Sequence, residues 1–485
     1  MTSTAEQAPA APSDAGGPRN LRRRAGKLLR AHPAIATGVG LLIFSALLVR
    51  WANTRPGFDP YGWLVWGHQT LSLSLNTNAA PSWKPFPYLF TVPFALAGHY
   101  EMWLWLTTAT AMSLAGAVFA GRIAYRLTDA PAGREWAAWV AAVVAAGASL
   151  GIVDYFHFIL SAQSDPIVVA LCLGAVDCHL SGRRRWAYSL LALAGLSRPE
   201  AWLFQGVYAI WWWRQDRAAW KFIIGWVVVE LALWFGIPAI TAKTFFIAGQ
   251  NALNSPRELH SNKVFGTVGR FLSLYERPIE VAGGLTFLWA LWRRDRRTLI
   301  LCACVAGWVV LEIAFVLHGW AGVKRYLFPP AALGAVVAAV GVGWLLARPP
   351  PRVPAWVGIA LAVVVVGSFL PGAVSGARAE HKDLHQQRVR TKVINELATL
   401  VDRLGGPDRF HGCGEPLTRL QYQSMVAFTL HLNVASIGYK YAPAIAATRP
   451  IILITPGPIN GWEIQPMRQP LARCRALAGK IDLQI

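Results

Sequence analysis

The segment Gly57-Phe58-Asp59-Pro60-Tyr61-Gly62-Trp63 places one carboxylate among aromatic rings, just beyond the first long apolar run of the chain. Further along, Pro81-Ser82-Trp83-Lys84-Pro85-Phe86-Pro87 adds more aromatics and a cation. Aromatic faces pack against the C–H surfaces of sugar rings, and partial removal from water raises a carboxylate's basicity. Asp59 therefore has the surroundings of a sugar-handling base, with Trp63 and Lys84 as substrate contacts. The same residue is placed to cap a helix with Pro60 at its first position. The two roles are compatible.

Other polar residues are candidates in less specific ways. Asp154 and Asp165 flank a second polar loop with His157 between them. They could hold hydroxyl groups of a substrate or a divalent cation. Asp165, directly before Pro166, also suits helix capping, and a lone His157 suits an interfacial histidine. No His, Cys or Asp cluster has metal-ligand spacing. Arg198 and Glu200 interrupt an apolar stretch, where each charge costs roughly 2.5–3.5 kcal/mol. They can pair with each other and brace a turn, and Glu230 and Glu312, also in apolar runs, are further partners for Arg198. Arg257, His260, Lys263 and Arg270 in the segment 241–277 either clasp a ligand or form a solvated loop.

The elements that must position these residues are membrane helices. Hydrophobic residues make up 54% of the chain and charged ones 15%, against about 25% charged in soluble domains. The deficit comes from apolar blocks between Pro33 and Pro371, each about long enough to cross a hydrocarbon core of roughly 30 Å. Backbone groups in lipid must pair internally, so the blocks are helices.

A net charge of +21 could signal a nucleic-acid partner. The placement of the cations argues for topology instead. Arg22, Arg23, Arg24, Lys27 and Arg30 precede the first block. Arg122, Arg126 and Arg134, then Arg183 to Arg185, then Arg214, Arg217 and Lys221 flank later ones. Arg293, Arg294, Arg296 and Arg297, then Arg348 and Arg352, complete the pattern. Such clusters mark cytoplasmic loops.

With residues 1–32 as a disordered basic cytoplasmic tail and 34–51 as an uncleaved anchor, the spans are about 33–51, 86–127, 136–153, 164–181, 222–240, 278–292, 298–317, 326–347 and 355–371. The stretch 187–213 has basic clusters at both ends, so it enters and returns as two short helices turning at Ser197-Arg198-Pro199-Glu200. One straight crossing there would invert every later loop. The expected fold is an all-α polytopic membrane domain over 33–371, with about nine full spans plus a re-entrant helix pair. A small α/β extracytoplasmic domain follows over 372–485. That domain opens with an amphipathic helix from His381 to Leu404 and contains a strand at Ile451–Ile454. Cys413 and Cys474 lie there, where an oxidising compartment permits a disulfide. Cys172, Cys178, Cys302 and Cys304 sit in apolar blocks as small hydrophobes.

Four elements, in order, resemble the GT-C superfamily of membrane glycosyltransferases, in particular its protein mannosyltransferase and aminoarabinose transferase-like group. They are Asp59 soon after the first helix; Lys84-Pro85-Phe86-Pro87-Tyr88, with Phe86 where Pro is usual; Gln163-Ser164-Asp165-Pro166 followed by Arg198-Pro199-Glu200; and Lys324-Arg325-Tyr326-Leu327-Phe328-Pro329. The resemblance covers residues 33–371 and leaves the tail without a counterpart. It implies transfer of a sugar from a polyprenyl-phosphate donor to a glycan, lipid or protein acceptor outside the cytoplasm of a bacterial inner membrane. Asp59 would be the general base of an inverting displacement, an effect of roughly 10²–10⁴-fold. The leaving phosphate needs cations more than an acid. Lys324, Arg325 and Tyr326 would receive it, while snorkelling at the membrane surface is the plain alternative for the two cations. Arg198 would line the lower end of the lipid groove.

Several other chemistries are absent from the sequence. It has no phosphate loop, dinucleotide fingerprint, His-Glu-x-x-His or Gly-x-Ser-x-Gly. Two other functions remain as alternatives: a transporter or flippase of a lipid-linked sugar, which calls for duplicated interrupted helices, and a non-catalytic envelope-assembly protein. Trp462, Tyr439 and Tyr441 are aromatics through which the tail could meet a glycan.

Overall fold

The computed structural model describes residues 33–79, 81–253, 258–349, 354–457 and 461–481. The basic cluster at 22–30, Arg257 and Arg352 lie outside the described residues. The first apolar run is helix α1 (Pro33–Ala52), ended by Asn53 in the left-handed region. Two short helices follow, α2 (Phe58–Leu71) and α3 (Pro85–Ala95), with Pro85 opening the latter. Next come α4 (Glu101–Thr128), α5 (Glu135–Leu150), α6 (Tyr155–Leu160) and α7 (Ser164–Leu180).

The stretch with basic clusters at both ends folds as α8 (Arg184–Gly195) and α9 (Ala201–Gln215). Arg184 at the start of α8 lies 5.2 Å over the ring of Trp211 near the end of α9. The pair is therefore antiparallel, with residues 196–200 as its tip. Helix α10 (Trp220–Leu231) runs through a π-helical turn, Ala232–Gly236, into α11 (Ile237–Thr241). Then come α12 (Ile247–Ala252), α13 (Lys263–Leu272), α14 (Arg277–Arg293), α15 (Arg296–Leu317), a 3₁₀ turn Lys324–Leu327, α16 (Phe328–Ala347) and α17 (Ala355–Arg403).

Six stretches among the described residues are long and apolar enough to cross a bilayer: α1, Gly98–Thr128, Arg217–Thr241, α15, Lys324–Ala347 and α17. They make the chain an integral membrane protein. The sequence predicts three further full crossings, α5, α7 and α14, but these hold 16, 17 and 17 residues. At 1.5 Å per residue that is about 24–26 Å of helix. Helix α16 runs through the centre of the bundle and is buried on nearly all sides. Small residues allow this: a Cβ on Gly341 would sit 1.9 Å from Thr286 Oγ1, the close approach that packs helices in lipid.

Arg134, Arg293 and Arg348, one from each of three basic clusters, gather at one end of the bundle. Arg348 pairs with Asp129 at 2.9 Å. Arg134 donates to the carbonyls of Leu346 and Ala347, and Arg293 lies 5.3 Å over Trp344. Helices α7 and α16 run from the opposite end to this one, and the candidate site sits where they begin.

Helix α17 continues unbroken through Pro371 for 49 residues. Its first half is largely exposed apolar surface, whereas Leu384, Val393, Ile394, Leu397, Leu400 and Val401 in its second half are buried. The predicted amphipathic helix is thus the far half of this one. Its apolar face covers a four-stranded sheet, β1 (Glu415–Leu417), β2 (Ile451–Pro456), β3 (Trp462–Met467) and β4 (Gly479–Ile481). The order is β1-β2-β3-β4, with β1 parallel to β2 and the other pairs antiparallel. Helices α18 (Gln423–Thr429), α19 (Tyr441–Ala446) and α20 (Ala472–Arg475) fill the connections. Cys413 and Cys474 form a disulfide with Cα atoms 5.4 Å apart. Trp462 is fully buried and its indole donates to the Val393 carbonyl at 2.6 Å. Strand packing, not a free surface, accounts for this aromatic.

Candidate active site

Asp59 is the second residue of α2, whose N-cap is Gly57, so Asp59 is not the cap and Pro60 is the third helical residue rather than the first. Its backbone is fixed from two sides. Gly57 N–H donates to the Ser161 carbonyl at 2.8 Å, and a Cβ there would lie 2.2 Å from Gln163 Nε2, so a larger residue would have to push that amide aside. On the other side, the Ser424 hydroxyl of α18 donates to the Phe58 carbonyl at 2.5 Å. Lys84 precedes α3. Its segment is held by Phe86 N–H on the Leu196 carbonyl at 3.1 Å and by Trp83 Nε1 on the Leu233 carbonyl at 3.0 Å.

Asp165 sits in the first turn of α7, Arg198 at the tip of the α8–α9 pair, and Arg325 and Tyr326 in the 3₁₀ turn. The segment leading into that turn is held by Arg270 of α13, which donates to the carbonyls of Ala321 and Gly322.

These elements bring seven charges into one chain of contacts. Arg325 Nη1 lies 3.4 Å from Asp59 Oδ2 and 3.6 Å from Asp165 Oδ2. Arg198 donates to Asp165 Oδ1 at 2.7 Å and to Glu200, lies 3.9 Å from Glu312, and stacks 3.7 Å over the Tyr326 ring. Lys84 Nζ donates to Ser164 Oγ at 2.8 Å and lies 5.7 Å from the Trp63 ring. Burial holds the Lys84 ammonium below the usual lysine range, and Asp165 and Asp59 pull it back up. The cluster thus holds four carboxylates and three cations. Its deep members are nearly sealed, whereas Asp59 and Arg325 keep 16% and 17% of their side-chain surface exposed. Arg325 Nε and Asp165 Oδ2 are buried without a hydrogen-bond partner.

Of the sequence-predicted site residues, Asp59, Lys84, Asp165, Arg198, Arg325 and Tyr326 converge here. Trp63 is fully buried behind Lys84, edge-on to Trp105. Lys324 is exposed and pairs with none of these groups. Asp154 is exposed, in the left-handed region. His157 contacts Asp383 at 2.9 Å and Gln387 at 3.3 Å, both on α17. Asp154 and His157 therefore border α17 rather than the central cluster. Glu230 accepts from Gln205 Nε2 at 2.7 Å and does not reach Arg198, whereas Glu312 does. Lys263 pairs with Glu258 at 2.9 Å. No group of residues with metal-holding geometry occurs among the described residues. Ser164, which orients Lys84, was visible only as part of the Ser-Asp-Pro element.

Two solved structures share the overall fold of this chain, a helical bundle with a small C-terminal sheet. ArnT from Cupriavidus metallidurans bound to undecaprenyl phosphate matches with a TM-score of 0.52 and 15% identity, over 88% of this chain and 93% of that one. The same protein in its apo state matches with a TM-score of 0.51 and 14% identity, over 87% and 93%. No family model matches the sequence, and no curated protein matches it. At such identity the likeness establishes the fold.

Proposed function

We propose that the chain is a glycosyltransferase that moves a sugar from a polyprenyl-phosphate donor to a cell-envelope acceptor, on the extracytoplasmic side of a bacterial inner membrane. The single observation that carries this reading is the meeting of Asp59, Lys84 and Arg325 in one cluster in which Asp59 and Arg325 stay partly exposed. Undecaprenyl phosphate is bound by the ArnT structure of the same fold, and here Lys84 and Arg325 are the cations able to receive such a phosphate. Lys324, exposed and unpaired with the cluster, is the weaker partner.

The geometry suggests a sequence of events. The Arg325–Asp59 contact is long for a charge-assisted pair. A phosphate arriving at Arg325 competes with Asp59 for the guanidinium and frees the carboxylate. Asp59 then accepts the proton of an acceptor hydroxyl as its oxygen attacks the anomeric carbon, and the phosphate leaves from the opposite face with the bonding pair. Inversion follows. Arg198, paired through Nη1 with Asp165 and through Nη2 with Glu200, holds Asp165 in place and so orients Arg325. The test is sugar transfer from a polyprenyl-phosphate donor pool in membranes carrying the full chain. Asp59→Asn is expected to abolish transfer at unchanged expression; undiminished transfer would remove Asp59 from the mechanism.

A further inference from the structure

The small α/β domain carries a cavity of about 390 Å³ against the first polar loop, within the size range of small-molecule sites, roughly 300–1,000 Å³. Asn78 of that loop lines one side, and Glu415, Gln423, Tyr439, Lys440 and Arg449 of the domain line the other. Its place in the chain matters. Asn78 shortly precedes Lys84, and Gln423 is next to Ser424, whose hydroxyl holds the Phe58 carbonyl just before Asp59. The cavity is therefore tied by short covalent paths to both sides of the charged cluster.

Its chemistry is specific. The Gln423 amide is only 4% exposed and donates to the carbonyls of Val434 at 3.3 Å and Ile437 at 2.6 Å. Both amide hydrogens are thereby committed, and Oε1 has no hydrogen-bond partner. A buried carbonyl oxygen left over in this way takes only a donor. A fully ionised phosphate or carboxylate offers no such donor. Glu415 adds a second acceptor and pairs with Arg449 at 2.5 Å. Tyr439 keeps 41% of its surface exposed, with Lys440 Nζ 6.0 Å from its ring. A half-exposed ring beside fixed acceptors suits a compact ligand with an apolar face and several hydroxyls.

We propose that this cavity is the acceptor subsite, binding a saccharide ring that lies on Tyr439 and donates a hydroxyl hydrogen bond to Gln423 Oε1. The assignment rests on the transferase reading above, and it names the acceptor class as a glycan or glycoside.

The test uses the full chain in phospholipid nanodiscs, with methyl hexopyranosides and methyl pentofuranosides as probes read by saturation-transfer NMR. At least one glycoside is expected to give signal with the wild type, with Asp59→Asn and with Tyr439→Phe. Tyr439→Ala should weaken it about tenfold. Tyr439→Leu, which keeps a bulky apolar side chain but not the ring, gives the same information should alanine unfold the domain. Three results would each overturn the subsite: no signal from any glycoside, full signal in Tyr439→Ala and Tyr439→Leu, or displacement of the glycoside by undecaprenyl phosphate, which would place it in the Asp59 cleft. Failure of undecaprenyl phosphate to bind the wild type, with the Tyr439-dependent glycoside signal intact, would instead sink the donor reading alone.

Discussion

The two ends of the charged cluster use the same residue types to opposite effect. At the deep end Arg198 is gripped by Asp165 and Glu200, faces Glu312 and is roofed by Tyr326, and none of the four charged side chains exceeds 4% exposure. At the open end Arg325 and Asp59 meet at 3.4 Å with about a sixth of each side chain exposed. A buried guanidinium whose Nη1 and Nη2 are both taken by sealed carboxylates is closed to a ligand, even though its Nε has no partner. A loosely held one beside an unsaturated carboxylate can exchange partners. Depth and short ion pairs thus separate the buried brace from the pair proposed to react.

The sharpest way to break this contrast is at the deep end. Arg198→Ala leaves buried carboxylates without their cation and is expected to cost about 3–5 kcal/mol, seen as loss of folded protein in fluorescence-detected size exclusion. A folded, thermally unchanged variant would mean that the deep end is not the brace. Asp59→Asn is expected to lower transfer about 10²–10⁴-fold with little change in unfolding temperature, the reverse pattern. Arg325→Ala should weaken undecaprenyl phosphate binding about ten- to a hundredfold, the loss of a hydrogen bond to a charged group, measured by microscale thermophoresis.

Lys84 sharpens the comparison through pH. Because burial holds its ammonium below the ordinary lysine value, about 10.4 in water, the charge is present below that lowered pKa and lost as pH rises through it. Affinity for undecaprenyl phosphate should therefore decline on an alkaline limb that begins earlier than for a free lysine, and Lys84→Arg should move the limb to higher pH. An unchanged limb would take Lys84 out of phosphate binding. The smallest effect is expected at Lys324→Ala, less than about threefold, in line with an exposed surface charge.

Several features were legible without coordinates because they depend on local pattern. Apolar block length and the flanking arginines mark the helices, and the clusters at both ends of 187–213 require a return, which α8 and α9 make. Asp59, Lys84, Asp165, Arg198 and Arg325 were each visible as charges at the edges or interruptions of apolar runs. What was not legible is partner choice. Nothing in the sequence separates Lys324 from Arg325, yet the 3₁₀ turn points one to the surface and the other to Asp59. Glu230 and Glu312 are equivalent as buried acids, and only helix rotation and packing bring the second to Arg198. His157, read beside Asp154 and Asp165, faces α17 because that helix runs on past Pro371 to reach it.

The sequence by itself determined that this is a membrane protein of many helices with charges reserved for their ends, since lipid tolerates neither unpaired backbone nor scattered charge. Tertiary structure decided which of those charges meet, which are sealed and which stay open. The reason is geometric: Asp59 and Arg325 are separated by most of the membrane domain in sequence, and pairing over such a distance is fixed by packing of whole helices, which no local pattern encodes.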